Sequence, residues 1–163
     1  MMEWEKPYME KSIELVRQYI RAGYKKIHLD ASMACRGDED PLPKEIIATR
    51  QAQLCSAAVK ECIKIGQQLS GLVFVVGTEV PAPGGSSKNQ ESIEASSIHE
   101  TEENIHHTRN AFIKYQLEKA WEQTFAFVVQ PGVEFSDNHI HDYDQKKAAG
   151  LSHLIEEYDN LIF

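Results

Sequence analysis

The 163-residue chain has no apolar run long enough to cross a bilayer as a helix; its most apolar stretch, Leu72 to Gly77, has the length of one buried strand. Basic residues are few, 17 Lys and Arg against 25 Asp and Glu, and the formal net charge is −8. No broad face is therefore available to neutralise phosphates, and nucleic acid is not an expected partner. The opening residues, Met1-Met2-Glu3-Trp4-Glu5-Lys6, lack a basic region followed by an apolar one and lack a cleavage site. The expectation is a cytoplasmic protein with no membrane association. Cysteine is scarce too. Cys35, Cys55 and Cys62 are an odd, unspaced set that builds neither a disulfide framework nor a zinc site. Cys55 and Cys62 are seven apart on an expected helix, so they share a face and behave as small hydrophobes. The Lys-Ser/Thr pair of a phosphate-binding Walker loop is missing at its required spacing, which speaks against a nucleotide-dependent enzyme.

What is present alternates. Met9, Ile13, Val16 and Ile20 lie on one helical stripe within Glu5 to Arg21, and Gly23 follows where a helix-ending glycine is expected. Lys26 to Asp30 reads as a short strand. Pro41 and Pro43 precede a helix over about Lys44 to Gln67, with Ile47, Leu54, Ala58, Cys62 and Ile65 along its buried side. A β-branched strand follows at Leu72 to Val76, extending to Thr78. A helix then begins at Ser97, where Ser97 and Glu100 can form a capping box, with Ile105 and Phe112 on its buried face. Phe125 to Gln130 is a third strand, Gln145 to Tyr158 a last helix burying Ala148, Leu151 and Ile155, and Leu161-Ile162-Phe163 the opening of another strand. Strict alternation of this kind implies an α/β fold with parallel strands.

The connections carry a second regularity. Those entering strands are short, as at Gly23 to Lys25, Ser70-Gly71 and Glu122 to Thr124. Those leaving strands are long: Ala31 to Pro43, Val80 to Ser96 and Pro131 to Asp144. Long loops inside an α/β unit are usually functional, and these all lie at the C-terminal ends of strands, where such folds place their sites. Strand parity then selects side chains. With Asp30 inward, His28 is inward, and Ile27 and Leu29 face the helices. With Glu79 inward, Gly77, Val75 and Val73 follow, while Phe74 and Val76 pack outward. With Gln130 inward, Val128 and Ala126 follow, and Phe125 and Phe127 turn to the helical layer. The opposite parity would bury His28, Asp30 and Gln130 against apolar helices, at several kcal/mol for unpaired polar groups.

Asp30 and Glu79 at the strand mouths suit positioning a sugar, binding a divalent metal or moving protons; the alternative is that they bond backbone groups of their own loops. Gly84 and Gly85, followed by Ser86 and Ser87, let backbone N–H groups converge on an anion, although a plain proline-rich turn fits them as well. His139-Ile140-His141-Asp142 resembles a metal cluster, but the neighbouring helices offer no third ligand, so no metal site is expected. His106-His107 diverge around their helix and do not share a ligand.

Three blocks now stand out: His28-Leu29-Asp30-Ala31-Ser32-Met33, Gly77-Thr78-Glu79-Val80-Pro81 with Pro83-Gly84-Gly85, and Val128-Val129-Gln130-Pro131-Gly132-Val133-Glu134-Phe135. They resemble the most recognisable blocks of the non-catalytic, Z-type subunit family of class II D-tagatose-1,6-bisphosphate aldolase. Lys11-Ser12 through Ala22-Gly23 and the helix around Arg50, Leu54 and Cys55 resemble it too. The chain departs from the family at Val59, where Glu is usual, and in the loop after Gly85.

The resemblance implies a partial (β/α)8 barrel, with residues 1–163 as one truncated domain of about three parallel strands, a strand stub and four helices. It would begin in the helix after the third barrel strand and stop inside the seventh. It implies a supporting role in galactitol and N-acetylgalactosamine catabolism, with either a catalytic class II aldolase subunit or a second copy as partner. A ketose-6-phosphate 4-epimerase working through Asp30, Glu79 and Glu134 is the alternative, and a kinase the weakest reading. Sugar-phosphate contacts would fall to His28, Ser32, Gly84, Gly85, Ser86 and Gln130. In a class II aldolase three histidines bind zinc. The first, with an assisting aspartate, lies on the family's third strand, outside this chain. The second would end strand six, where this chain has Gly132-Val133-Glu134, and the third would end strand seven. The resemblance therefore implies no cofactor in this chain and zinc in the catalytic partner.

Overall fold

The computed structural model describes residues 7–35, 37–39, 41–77, 95–132, 134–135, 140–158 and 160–163. Helix α1 (Pro7–Arg21) opens on a proline, whose missing N–H costs nothing in a first turn. Val16 and Ile20 are buried and Met9 and Ile13 pack against the same core, so the expected stripe faces inward. Gly23 ends the helix with φ 91°, its N–H donating to the Ile20 carbonyl at 3.0 Å while Tyr24 N–H reaches Tyr19 at 3.1 Å. That backbone conformation is open to glycine and strained for other residues.

The chain continues through β1 (Lys26–His28), α2 (Lys44–Lys64), a 3-10 turn at Leu69–Gly71, β2 (Val73–Gly77) and α3 (Ile98–Lys114). It then runs through a short α4 (Glu118–Trp121), β3 (Thr124–Val128), β4 (Glu134–Phe135), β5 (Ile140–His141) and α5 (Gln145–Glu157). β1, β2 and β3 form one parallel sheet in chain order, as expected. The C-terminal segment extends it: Ile162 bridges Ala126 in parallel, with Ile162 N–H on the Phe125 carbonyl at 2.8 Å and Phe127 N–H on Ile162 at 2.7 Å. This is a section of a (β/α)8 barrel.

The two faces of the sheet divide as strand parity requires. Ile27, Leu29, Phe74, Val76 and Phe127 are buried under the helices. Val73, Val75, Ala126 and Val128 on the other face are half-buried, and Lys26, His28 and Ile162 are exposed there. Helix α2 sits between α1 and α3. Ala48, Ala52, Cys55, Ala57 and Ala58 are buried along it, and small residues let neighbouring helices approach closely. The Arg21 guanidinium clasps α1 to α2 through Glu61 at 2.6 Å. Each large aromatic in this core, such as Phe74, Phe112 or Phe127, contributes about 1.5–3 kcal/mol by leaving water.

Several expectations need correction. β1 ends at His28, although Leu29 N–H still bonds Val75 at 2.8 Å. Helix α2 stops at Lys64, so Ile65 leaves the apolar stripe and is 38% exposed. Phe125 does not join the helical layer with Phe127. The register slips between Phe74, opposite Thr124, and Val75, opposite Ala126, so Phe125 is the extra residue of a bulge. Thr124 takes the buried place instead, its hydroxyl donating to the Ala120 carbonyl at 3.2 Å. Leu154, fully buried, joins Ala148 and Leu151 under α5, while the side chain of Ile155 lies outside the described residues.

At the end of β2 the backbone of Gly77 has φ 143°, and a Cβ there would stand 2.6 Å from Val128 N and 2.7 Å from Val128 Cβ. Its carbonyl accepts from the Gln51 side-chain amide at 3.0 Å, and Thr108 donates to the same amide's oxygen at 3.1 Å. Gly77→Ala is expected to lose about 1–3 kcal/mol from the backbone conformation alone, with the contact against β3 adding to it. Urea unfolding checks this: a midpoint equal to the parent's means that the close approach of β2 and β3 is not built as described.

Candidate functional site

The C-terminal ends of β1 and β3 hold Asp30 and Gln130, and each is already engaged by its own loop. Asp30 is exposed just past β1. Its Oδ1 accepts the Ser32 N–H at 3.0 Å and the Ser32 hydroxyl at 2.6 Å. That is an Asx turn, in which a short acidic side chain folds its own loop back. His28, two residues earlier on the same face, is exposed, and Ser32 is half-buried. Gln130 is buried beyond the end of β3, its Oε1 accepting from Gly132 N–H at 2.8 Å. Its backbone is tied to Ser96, two residues before α3: Gln130 N–H donates to Ser96 Oγ at 2.9 Å, and Ser96 N–H to the Gln130 carbonyl at 2.8 Å. Ser97 then caps α3, its Oγ accepting the Glu100 N–H at 3.2 Å, but the Glu100 carboxylate accepts from the Ser97 hydroxyl rather than its backbone N–H, so only half of the expected capping box forms.

Glu79, Gly84, Gly85 and Ser86 lie outside the described residues. Glu134 falls in β4, its backbone opposite His141 in an antiparallel pair, and nothing further is described of its side chain. Among the described residues no three His, Cys, Asp or Glu side chains gather where they could hold a metal ion.

A stronger constellation lies beside Asp30. Arg50, on the first turns of α2 and 8% exposed, forks onto Asp38, Nη1 to Oδ2 at 2.9 Å and Nη2 to Oδ1 at 2.7 Å. The same carboxylate accepts Cys35 N–H at 2.6 Å, and Arg50 also donates to the Tyr8 hydroxyl of α1. Paired N–H···O bonds of opposite charge are the strong, geometrically specific kind. One buried guanidinium thus joins α1, α2 and the loop leaving β1. The hydrogen bond from Arg50 holds the Asp38 carboxyl below the usual carboxylate range, and that carboxylate keeps Arg50 charged.

Arg50 lines a cleft of about 230 Å³ together with Tyr8, Ser12, Asp30, Met33 and Cys35. A second groove of about 420 Å³ runs along the outer edge of β1, lined by Leu15, Tyr19, Tyr24, Lys26 and His28. Asp30 borders both. Parity arguments select strand residues, so they pass over Asp38 and Arg50. The signal that could have found them is Arg50 itself, a charge between Ile47 and Leu54 on the buried stripe of α2, which demands a carboxylate nearby.

Asp38→Asn tests the pair. It leaves Arg50 charged without a counterion, at roughly 3 kcal/mol, the low end for breaking a buried ion pair. The folded-state carboxyl titrates below its unfolded value of about 3.9, so the stabilisation is complete above that pH and lost as pH falls through the folded value. Urea unfolding of parent and variant should therefore differ most near neutral pH and converge in acid. A gap that holds constant down to pH values below about 3 is incompatible with ionisation of Asp38 as the source.

Comparisons with known proteins bear on the family and the fold. A family model described as D-tagatose-1,6-bisphosphate aldolase subunit GatZ/KbaZ-like matches residues 2–163. The D-tagatose-1,6-bisphosphate aldolase subunit GatZ of Escherichia coli strain SE11 is 45% identical over 148 residues, 91% of this chain and 35% of that protein. Its counterpart in strain SMS-3-5 / SECEC is 44% identical over 149 residues, with the same coverage. The crystal structure of a probable tagatose 6 phosphate kinase from Sinorhizobium meliloti 1021 superposes with a TM-score of 0.77 at 28% identity, over 95% of this chain and 35% of that one. The chain thus spans about a third of the length of the relatives that it matches. On the family model and these identities, the chain belongs to the GatZ/KbaZ-like family of D-tagatose-1,6-bisphosphate aldolase subunits.

Proposed function

We propose that this chain is a non-catalytic subunit that supports a class II D-tagatose-1,6-bisphosphate aldolase in the cytoplasm, within galactitol or N-acetylgalactosamine breakdown. The observation that carries the reading is the family match, which runs from residue 2 to residue 163. Relatives bearing the name of that aldolase's subunit are 44–45% identical across nine-tenths of the chain. The described mouth of the sheet is consistent with a supporting part. The Asp30 carboxylate serves its own loop through Ser32, and the Gln130 amide oxygen serves Gly132. On this reading the zinc that polarises the ketose phosphate belongs to the catalytic partner, and this chain contributes surface and rigidity rather than ligands. A sugar phosphate held at the same mouth would be positioned by His28 and Ser32.

Mixing decides it. Adding the purified chain to a catalytic class II aldolase subunit should raise cleavage of D-tagatose 1,6-bisphosphate and lengthen the half-life of the activity, with no turnover by the chain alone. Conversion of fructose 6-phosphate to tagatose 6-phosphate by the isolated chain would instead make it the epimerase. An aldolase indifferent to the addition would remove the supporting role.

A further inference from the structure

Helix α2 lies between α1 and α3 and bonds β2 through Gln51, so its outward face is framed by elements that this chain contains. From Ile47 to Val59 none of its residues is exposed. The helix then surfaces: Lys60, Ile63 and Lys64 are exposed, and exposed Ile65 follows just past its end. Helices of this layer run against the strands, so this end lies opposite the mouth that carries Asp30 and Gln130. Lys25 fixes the place. It leads into β1, its carbonyl takes Val73 N–H at 2.9 Å, and its ammonium donates to the Gln67 side chain at 2.7 Å.

Cations gather at this end, against the trend of a chain with net charge −8. Arg17 and Arg21 come from the end of α1, Lys60 and Lys64 from α2 one turn apart, and Lys25 from the loop entering β1. Two carboxylates stand among them, and both are engaged in the clasp between the helices. Glu61, 4% exposed, takes Arg21 Nε at 2.6 Å, and Glu14 takes Arg21 Nη1 at 3.0 Å. The hydrogen bond from Arg21 holds the Glu61 carboxyl below its ordinary range, and the charges of Lys64 and Arg17 lower it further. Lys60 and Lys64 share one face of the helix end with Ile63, which is 63% exposed. The helix dipole accounts for one lysine in a last turn. It does not account for cations drawn from three elements around exposed isoleucines.

We propose that this face docks an acidic surface of a partner protein, with Ile63 and Ile65 seated against apolar side chains of the partner and the cations opposite its carboxylates. An apolar centre with a charged rim is the anatomy of a protein interface, where charge steers the encounter and apolar contact holds the complex. Two isoleucines at a helix end are too small an apolar face to lie in a bilayer. On a nucleic-acid backbone they would meet phosphate and sugar, which offer them nothing. The inference rests on the aldolase reading for the identity of the partner, the catalytic class II subunit. Docking at this end joins the two chains and leaves the mouth at Asp30 and Gln130 open.

Surface plasmon resonance of the 163-residue chain over an immobilised catalytic class II aldolase subunit tests this at low and at physiological salt. Lys60→Glu combined with Lys64→Glu should slow association about tenfold at low salt and flatten its salt dependence. Ile63→Ala should keep the association rate and speed dissociation about tenfold. Arg109→Glu combined with Lys146→Glu makes the same change of charge at exposed positions of α3 and α5, and should leave both rates unchanged. Circular dichroism identifies a variant that fails to fold, and the other patch variant then decides. A parent that associates, with folded patch variants that match it in both rates, overturns the docking face and leaves the supporting role standing. A parent that never associates removes both. Self-association, or binding to phosphatidylglycerol vesicles, that the parent shows and the double lysine variant loses gives the face another occupant and also overturns the proposal.

Discussion

The buried amide of Gln51 is the joint on which the helical layer and the sheet depend. Its nitrogen holds the last carbonyl of β2 and its oxygen holds Thr108 on α3. An amide fully removed from water costs several kcal/mol unless both ends are satisfied, so only one height of α2 over β2 and one rotation of α3 are acceptable. Other polar contacts radiate from the same helix. Glu61 reaches α1 through Arg21, Arg50 reaches the loop after β1 through Asp38, and Lys44 meets Glu103 of α3 at 2.9 Å. Apolar burial supplies most of the free energy, but it is non-directional; these bonds set the relative positions of the elements.

Much of this arrangement was legible before any coordinates. Polar residues at strand ends, read with a period of two, assigned the helical and open faces correctly at Ile27, Leu29, Phe74, Val76 and Phe127. The pattern failed at Phe125 because periodicity assumes an unbroken strand. The Thr124 hydroxyl is held by the carbonyl of Ala120, and the strand takes up the difference as one extra residue. Helix α4 and the β4–β5 pair escaped for another reason: elements of four and two residues hold only about one repeat, too few for a pattern to recur. The Ser97 cap was visible because its chemistry is local, contained within four consecutive residues.

The site was legible by position more than by contact. Sequence alone identified the strand ends that carry Asp30 and Gln130, and offered loop bonding as the alternative for Asp30 but not for Gln130. An Asx turn and a carboxylate aimed at a ligand use the same residue, so for Asp30 both roles stood open in the sequence and only coordinates separate them. The Arg50–Asp38 pair went unseen because its partners are twelve residues apart across a loop, beyond any helical or strand spacing.

The thiols give the fold an internal clock. Cys55 and Cys62 are fully buried in α2, and burial pushes the Cys55 thiol far above its ordinary range, so almost none of it is present as reactive thiolate. Cys35 is half-exposed in the loop that Asp38 braces. An alkylating reagent therefore meets one fast sulfur on the native molecule. The slow labelling of the other two measures how often α2 lifts from the sheet, with no added probe.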